Sequence, residues 1–202
     1  MKKAKVDLFS TPIHLFKYEN NSILDECKNE LLKMDIGCTK DNLHLYQPFS
    51  KLSTLLLESV SEVFDHYKLI RDSEYITCMW ANISPSYNKH PIHLHANSFW
   101  SGVLYLSCPK PDTGSIVFKD PRQALLTQYF EYEESNQFSM RSAQMEPEEN
   151  KLLLFPSWLE HGTLAGDFSD SDDQRRISLS FNVMPRCDIK NYSINIITSK
   201  LR

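Results

Sequence analysis

From residue 74 onward the chain breaks into short β-branched and aromatic runs: EYITCMWANIS, FWSGVLYLS, GSIVFKD, NKLLLFPS and RRISLSFNV. Clusters of Pro, Gly, Asn and Asp separate them. Such runs predict strands, because branched and aromatic side chains suit a pleated, half-buried surface and the punctuating residues suit turns. Upstream the period changes. After Asn21 and Ser22, both natural helix caps, ILDECKNELLKM sets Ile23, Cys27, Leu31 and Met34 on one stripe. In 51–68, Leu52, Leu55, Leu56, Val60, Val63, Phe64 and Tyr67 recur at spacings of three and four. Both segments predict amphipathic helices laid over one face of a sheet. A first strand is expected in DLFSTPIHLFKY, interrupted by Pro12. Two more are expected in LLTQYFEYE and QFSMRSAQ, and a last edge strand in YSINIITS could pair across a homodimer. The fold class is α+β, a β-sandwich or barrel buttressed by N-terminal helices.

With 202 residues the chain suits one domain with a sizeable core. It divides into 1–72 (first strand and supporting helices), 73–185 (the strand-rich core) and 186–202 (a tail with a possible edge strand). Net charge is −4, so no global basic field draws in nucleic acid or anionic lipid. Five scattered cysteines without a CxxC pair argue against thiolate zinc and against a disulfide framework. Cys27 and Cys78 read as buried, inert thiols. MKKAKVDLFSTP is basic but lacks the apolar stretch of a secretory signal, and no apolar run approaches the roughly 20 residues of a membrane helix. The expectation is a cytoplasmic protein. The acidic, Ser-rich DFSDSDDQ at 167–174 reads as a solvated hairpin loop.

HPIHLHANSFW puts His90, His93 and His95 directly before an apolar strand, in a chain with seven histidines. Alternate residues of a strand share a face, so His93 and His95 can present both imidazoles to one point. His161 follows another strong apolar run, LLLFPSWLEH. Two near ligands and one distant one suit a metal held between strands, and neutral imidazole accepts iron, zinc, copper or nickel. In RRISLSFN, alternation sets Arg176, Ser178, Ser180 and Asn182 against Ile177, Leu179, Phe181 and Val183. If the apolar side packs beneath the helices, Arg176 turns inward, where a guanidinium needs an anion and its planar fork matches a carboxylate. Arg175 is expected to start the strand at the solvent edge or to pair with a protein carboxylate. Trp100 and Trp158 read as packing residues, while Trp80 could pack or line a site.

HxH, SGVLYL, GSIVFKDP, LLLFPSWLEH and RRISLSFN, in that order, resemble the iron(II)- and 2-oxoglutarate-dependent oxygenases, and specifically a bacterial and phage branch. The opening LFSTPIHLFKY resembles that branch too. The resemblance implies a double-stranded β-helix (jelly-roll) barrel with Fe(II) at its open end and 2-oxoglutarate as cosubstrate. It implies His93, His95 and His161 as metal ligands and Arg176 as the carboxylate clamp, with Tyr105, Ser178 and Asn82 near the cosubstrate. The implied activity is an O2-dependent hydroxylation of a protein side chain or small metabolite. His95 is a departure, because the family has a carboxylate there; three neutral histidines leave the iron one unit more positive. Alternatively His95 is the first ligand and Asn97 the second, or Asp120 supplies the missing carboxylate. His90 reads as a loop residue near the substrate entrance, and 121–147 as the segment that selects the substrate. A second reading is a three-histidine cupin, a dioxygenase or isomerase not using 2-oxoglutarate. Cupins place a Glu a few residues after HxH, and HLHANSFWSG has none.

Overall fold

The computed structural model describes residues 9–19, 21–84, 89–109, 114–122, 127, 130–136, 138–164 and 175–188. Strand β1 (His14–Lys17) precedes helix α1 (Ser22–Leu32), the short β2 (Gly37–Cys38) and helix α2 (Phe49–His66). Then follow β3 (Ser73–Ser84), β4 (Trp100–Ser107), β5 (Ile116–Lys119) and β6 (Ser142–Met145). β7 (Lys151–Pro156), β8 (His161–Thr163) and β9 (Arg176–Arg186) complete the order. Asn21 caps α1, its side chain accepting from the Ile23 N–H. Along α1 the buried residues are Leu24, Cys27 and Leu31, and along α2 they include Leu52, Leu56, Val60, Val63 and Phe64. Tyr67, placed on the α2 stripe by its spacing, is 45% exposed and lies one residue beyond the helix.

The strands form two antiparallel sheets, ordered β1-β7-β4-β9-β3-β2 and β6-β5-β8. The first begins and ends on different strands, and so does the second, so the closed jelly-roll barrel is not what forms. The reason is strand length. β5, β6 and β8 are three or four residues long, too short to hydrogen-bond around both edges of a sheet whose β3 and β9 run twelve and eleven residues. The sheets associate through side chains instead: Tyr105, Leu153 and Phe155 of one meet Ile116 and Phe118 of the other.

Alternation explains both layers. Leu152 and Leu154 of β7, Leu104 and Leu106 of β4, and Ile177, Leu179, Phe181 and Val183 of β9 share one core with the helices. The opposite face of β7 carries Leu153 and Phe155 and that of β4 mixes Val103 and Tyr105 with Ser101 and Ser107, whereas that of β9 is Arg176, Ser178, Ser180 and Asn182, all buried. Polar residues therefore line the space between the sheets where β3 and β9 pair. YSINIITS and the loop at 167–174 lie outside the described residues; LLTQYFEYE is described at 127 and 130–133, where no strand forms. QFSMRSAQ contributes β6. No helix among the described residues is long and apolar enough to cross a membrane.

Candidate metal centre

His93 and His161 exchange backbone hydrogen bonds, His93 N to His161 O at 2.8 Å and His161 N to His93 O at 2.9 Å. His95 N bonds Ser157 O at 3.0 Å, so HxH lies extended along the β7–β8 connection. This pairing brings the distant histidine onto the near pair. One ring nitrogen from each of His93, His95 and His161 lies within 4.8 Å of the others. His95 Nε2 and His161 Nε2 are 3.2 Å apart. Two nitrogens bound at right angles to one ion, each about 2.1 Å away, would be about 3 Å apart, so the spacing fits a shared ion. His93 Nδ1 faces the Pro91 carbonyl at 2.8 Å and His161 Nδ1 faces the Leu159 carbonyl at 2.8 Å. A carbonyl can only accept, so each Nδ1 carries the proton and each Nε2 keeps its lone pair.

Burial, above all, pushes both His95 and His161 down to about 4, with the neighbouring imidazoles adding to it. For His161 the Leu159 hydrogen bond opposes the shift. Both rings are therefore neutral near pH 7, the form that ligates. Among the described residues no carboxylate joins this cluster.

The histidines open onto a cavity of about 320 Å³ whose walls include Arg176, Tyr105, Ser178, Asn82, Trp80 and His90. Register assembles its polar end: Ser178 of β9 stands opposite Asn82 of β3 on one side and Tyr105 of β4 on the other. Arg176 is 3% exposed, with its guanidinium carbon 5.4 Å from the Tyr105 ring centroid. Arg176 Nε and Tyr105 Oη are both buried without a hydrogen-bond partner among the described residues. Burial pushes the Tyr105 phenol up to about 12, against the pull of Arg176, so it stays a donor. Among the described residues no Asp or Glu lines the cavity. Two unpartnered donors in a site without an anion of its own fit an incoming carboxylate.

Other sequence candidates lie elsewhere. Asn97 is exposed at φ 58° in the turn after His95 and does not line the cavity. Asp120 is bound to Arg122, with Oδ2 2.6 Å from Nη2, and lines a second cavity. The described part of 121–147 joins that second cavity through Phe138, Met140, Ser142 and Ala143. Arg175 is partly exposed immediately before β9, and its Nη1 donates to the Leu32 and Met34 carbonyls at the end of α1. Trp80 lines the cavity with its ring 5.6 Å from that of His95, Trp100 is packed at 6% exposure, and Trp158 is 54% exposed.

Sequence reasoning missed one group. Asn182 lies with its carboxamide 3.4 Å from His95 Nδ1 and 2.8 Å from Ser101 Oγ, which in turn is 2.8 Å from Ser157 Oγ. Alternation had placed Asn182 on the face of Arg176, which was the available signal. Cys78, expected as an inert buried thiol, accepts from Asn182 Nδ2 at 3.2 Å, whereas Cys27 is fully buried with its thiol pushed up to about 12.

Residues 78–182, just over half of the chain, match a family model described as "Putative 2OG-Fe(II) oxygenase". No curated protein matches. Among solved structures, HygX from Streptomyces hygroscopicus with iron bound is 13% identical with a TM-score of 0.60, covering 87% of this chain and 83% of that one. A Pseudomonas putida prolyl-4-hydroxylase is 13% identical with a TM-score of 0.55, covering 89% and 90%. The viral collagen prolyl hydroxylase of Paramecium Bursaria Chlorella virus-1 is 9% identical with a TM-score of 0.55, covering 91% and 98%. At these identities the likeness is one of fold. The family match runs from within β3 to within β9 and takes in both near histidines and the distant one, and on that match the chain belongs to the 2OG-Fe(II) oxygenase family.

Proposed function

We propose that the protein is an Fe(II)- and 2-oxoglutarate-dependent dioxygenase that hydroxylates a protein side chain or small metabolite, of the bacterial and phage branch its motifs resemble. His93, His95 and His161 hold the iron, and Arg176 grips the distal carboxylate of 2-oxoglutarate, with Tyr105 donating beside it. The observation that carries the reading is the buried, unpartnered pair Arg176 Nε and Tyr105 Oη in the cavity that the three histidines share. When bound, the iron couples oxidative decarboxylation of 2-oxoglutarate to activation of O2.

The chain's own residues orient and desolvate. Carbonyls of Pro91 and Leu159 hold two imidazoles with their Nε2 atoms toward the cluster. Arg176 supplies a fixed positive fork, and the apolar walls of Val103, Ile116 and Phe155 limit water around it. Ser178 and Asn82, facing each other across the β3–β9 ladder, offer further polar contacts to the cosubstrate.

Adding Fe(II) and then 2-oxoglutarate to metal-free protein without oxygen tests this. The expected result is a weak visible charge-transfer band that needs both additions and disappears when oxygen is admitted. Folded protein with stoichiometric iron and no band would sink the 2-oxoglutarate reading.

A further inference from the structure

Asn182 touches the metal cluster at the one histidine that its own backbone does not orient. His93 and His161 each give Nδ1–H to the carbonyl two residues before them, whereas His95 Nδ1 meets only the Asn182 carboxamide among the described contacts. That amide is buried at 8% exposure, and every partner it has can reverse its role. Ser101 and Ser157 are hydroxyls and Cys78 is a thiol, each able to donate or accept.

The hydrogen bonds form one consistent chain. Because Leu159 O takes the proton of His161 Nδ1, His161 Nε2 can only accept. His95 then donates to it through Nε2–H at 3.2 Å, leaving His95 Nδ1 as an acceptor for the Asn182 N–H. An ion shared by His95 Nε2 and His161 Nε2 needs both lone pairs. The proton on His95 Nε2 must leave to solvent and one must be taken up at Nδ1, with no net change in charge. Nδ1–H then needs an acceptor in a buried place.

Resting on the proposed metal site, we infer that the Asn182 carboxamide is the positioning residue for His95, turning end for end on metal uptake so that its oxygen accepts from His95 Nδ1–H. Ser101 then accepts from the Asn182 amide and passes its own proton toward Ser157, and the Cys78 thiol turns to donate. Asn182, Ser101, Cys78 and His95 Nδ1 each keep a hydrogen-bond partner in both arrangements. A carboxylate in the second ligand position would need no such partner, since it has no proton to place. Asn182 thereby answers the departure at His95.

The test uses zinc(II) alone, by competition with a chelator, on the full chain. Asn182→Leu is expected to weaken zinc binding about 10- to 100-fold, the usual range for losing a partner behind a ligand. A folded Asn182→Leu that binds within threefold of wild type overturns the inference. Asn182→Asp, which can only accept, is expected to bind at least as tightly as wild type; a loss as large as that of Asn182→Leu also overturns it. Should Asn182→Leu not fold, Asn182→Asp decides alone.

A second readout separates positioning from general loosening. In ¹⁵N-imidazole spectra of the zinc-loaded proteins, wild type should show protonated Nδ1 at all three histidines. In Asn182→Leu only the His95 Nδ1–H should gain fast solvent exchange; equal disturbance of all three overturns the role assigned to Asn182. Neither measurement uses 2-oxoglutarate or oxygen. Wild type that binds zinc through the three histidines but forms no complex with 2-oxoglutarate would therefore defeat the proposed function and leave this inference standing. Wild type that fails to bind zinc defeats both.

Discussion

Arg176 brings a guanidinium into a cavity whose described lining holds no carboxylate; Nη2 donates to the Gly114 carbonyl at 3.4 Å and the Tyr105 ring lies beside it, but Nε is left for an incoming anion. Removing one partner of a buried charged pair typically costs about 2–5 kcal/mol, or roughly 30-fold to several-thousand-fold in affinity. Arg176→Met should weaken 2-oxoglutarate binding at least ~30-fold by titration calorimetry while iron per chain stays unchanged. Arg175→Met is the neighbouring control: it loses hydrogen bonds to α1 carbonyls, costing about 1 kcal/mol of stability, but leaves 2-oxoglutarate affinity as it was. Wild-type binding by Arg176→Met would remove it from the clamp. At the metal, His93→Ala and His161→Ala should each lose iron, measured per chain after desalting, with circular dichroism unchanged. His95→Asp should keep iron with altered turnover; an iron affinity and turnover in His95→Ala equal to wild type would take His95 out of the ligand set.

At the scale of elements, β4 and β9 carry the helix layer on one face and the cavity on the other, so their fit is narrow. A Cβ on Gly102 of β4 would lie 2.3 Å from Phe181 Cζ and 2.9 Å from Leu154 Cδ2. The space above Gly102 is filled by the Phe181 ring. Gly102→Ala should therefore destabilise by about 1–3 kcal/mol in urea unfolding. Stability equal to wild type would mean the ring has room to move that this packing denies it. The helices and long strands were readable because each has its own period, 3.6 or 2. β2 and β8, two and three residues long, were not. Their extended form is set by partners, β3 for one and β5 for the other, rather than by propensity.

For the whole molecule, β1 ties the sheet edge to the end of α2. His14 lies 2.8 Å from the Tyr67 hydroxyl, with its ring 5.6 Å from that of Trp100. Burial, then the nearby His66, holds the His14 imidazole below its ordinary value, with Glu62 opposing. A folded pKa below the unfolded value of about 6.5 means the unfolded chain takes up the proton first. The contribution is complete above that pH and is lost as pH falls through it. The urea midpoint should drop between about pH 7.5 and 5.5, and His14→Gln should lessen the drop; an unchanged drop would clear His14 of the effect. Local pattern determined a great deal here: the two helices, the core strands, the face shared by Arg176 and Ser178, and the HxH pair are each written within a few neighbouring residues. Alternation and helical period are properties of one segment, so one segment suffices to read them. Whether strands close on one another depends on which edges find partners, and the short β5–β6–β8 sheet left both sheets open where a barrel was expected. The meeting of His161 with His93, and of Asn182 with His95, likewise depends on register between strands far apart in the chain, and only the packed fold decides that.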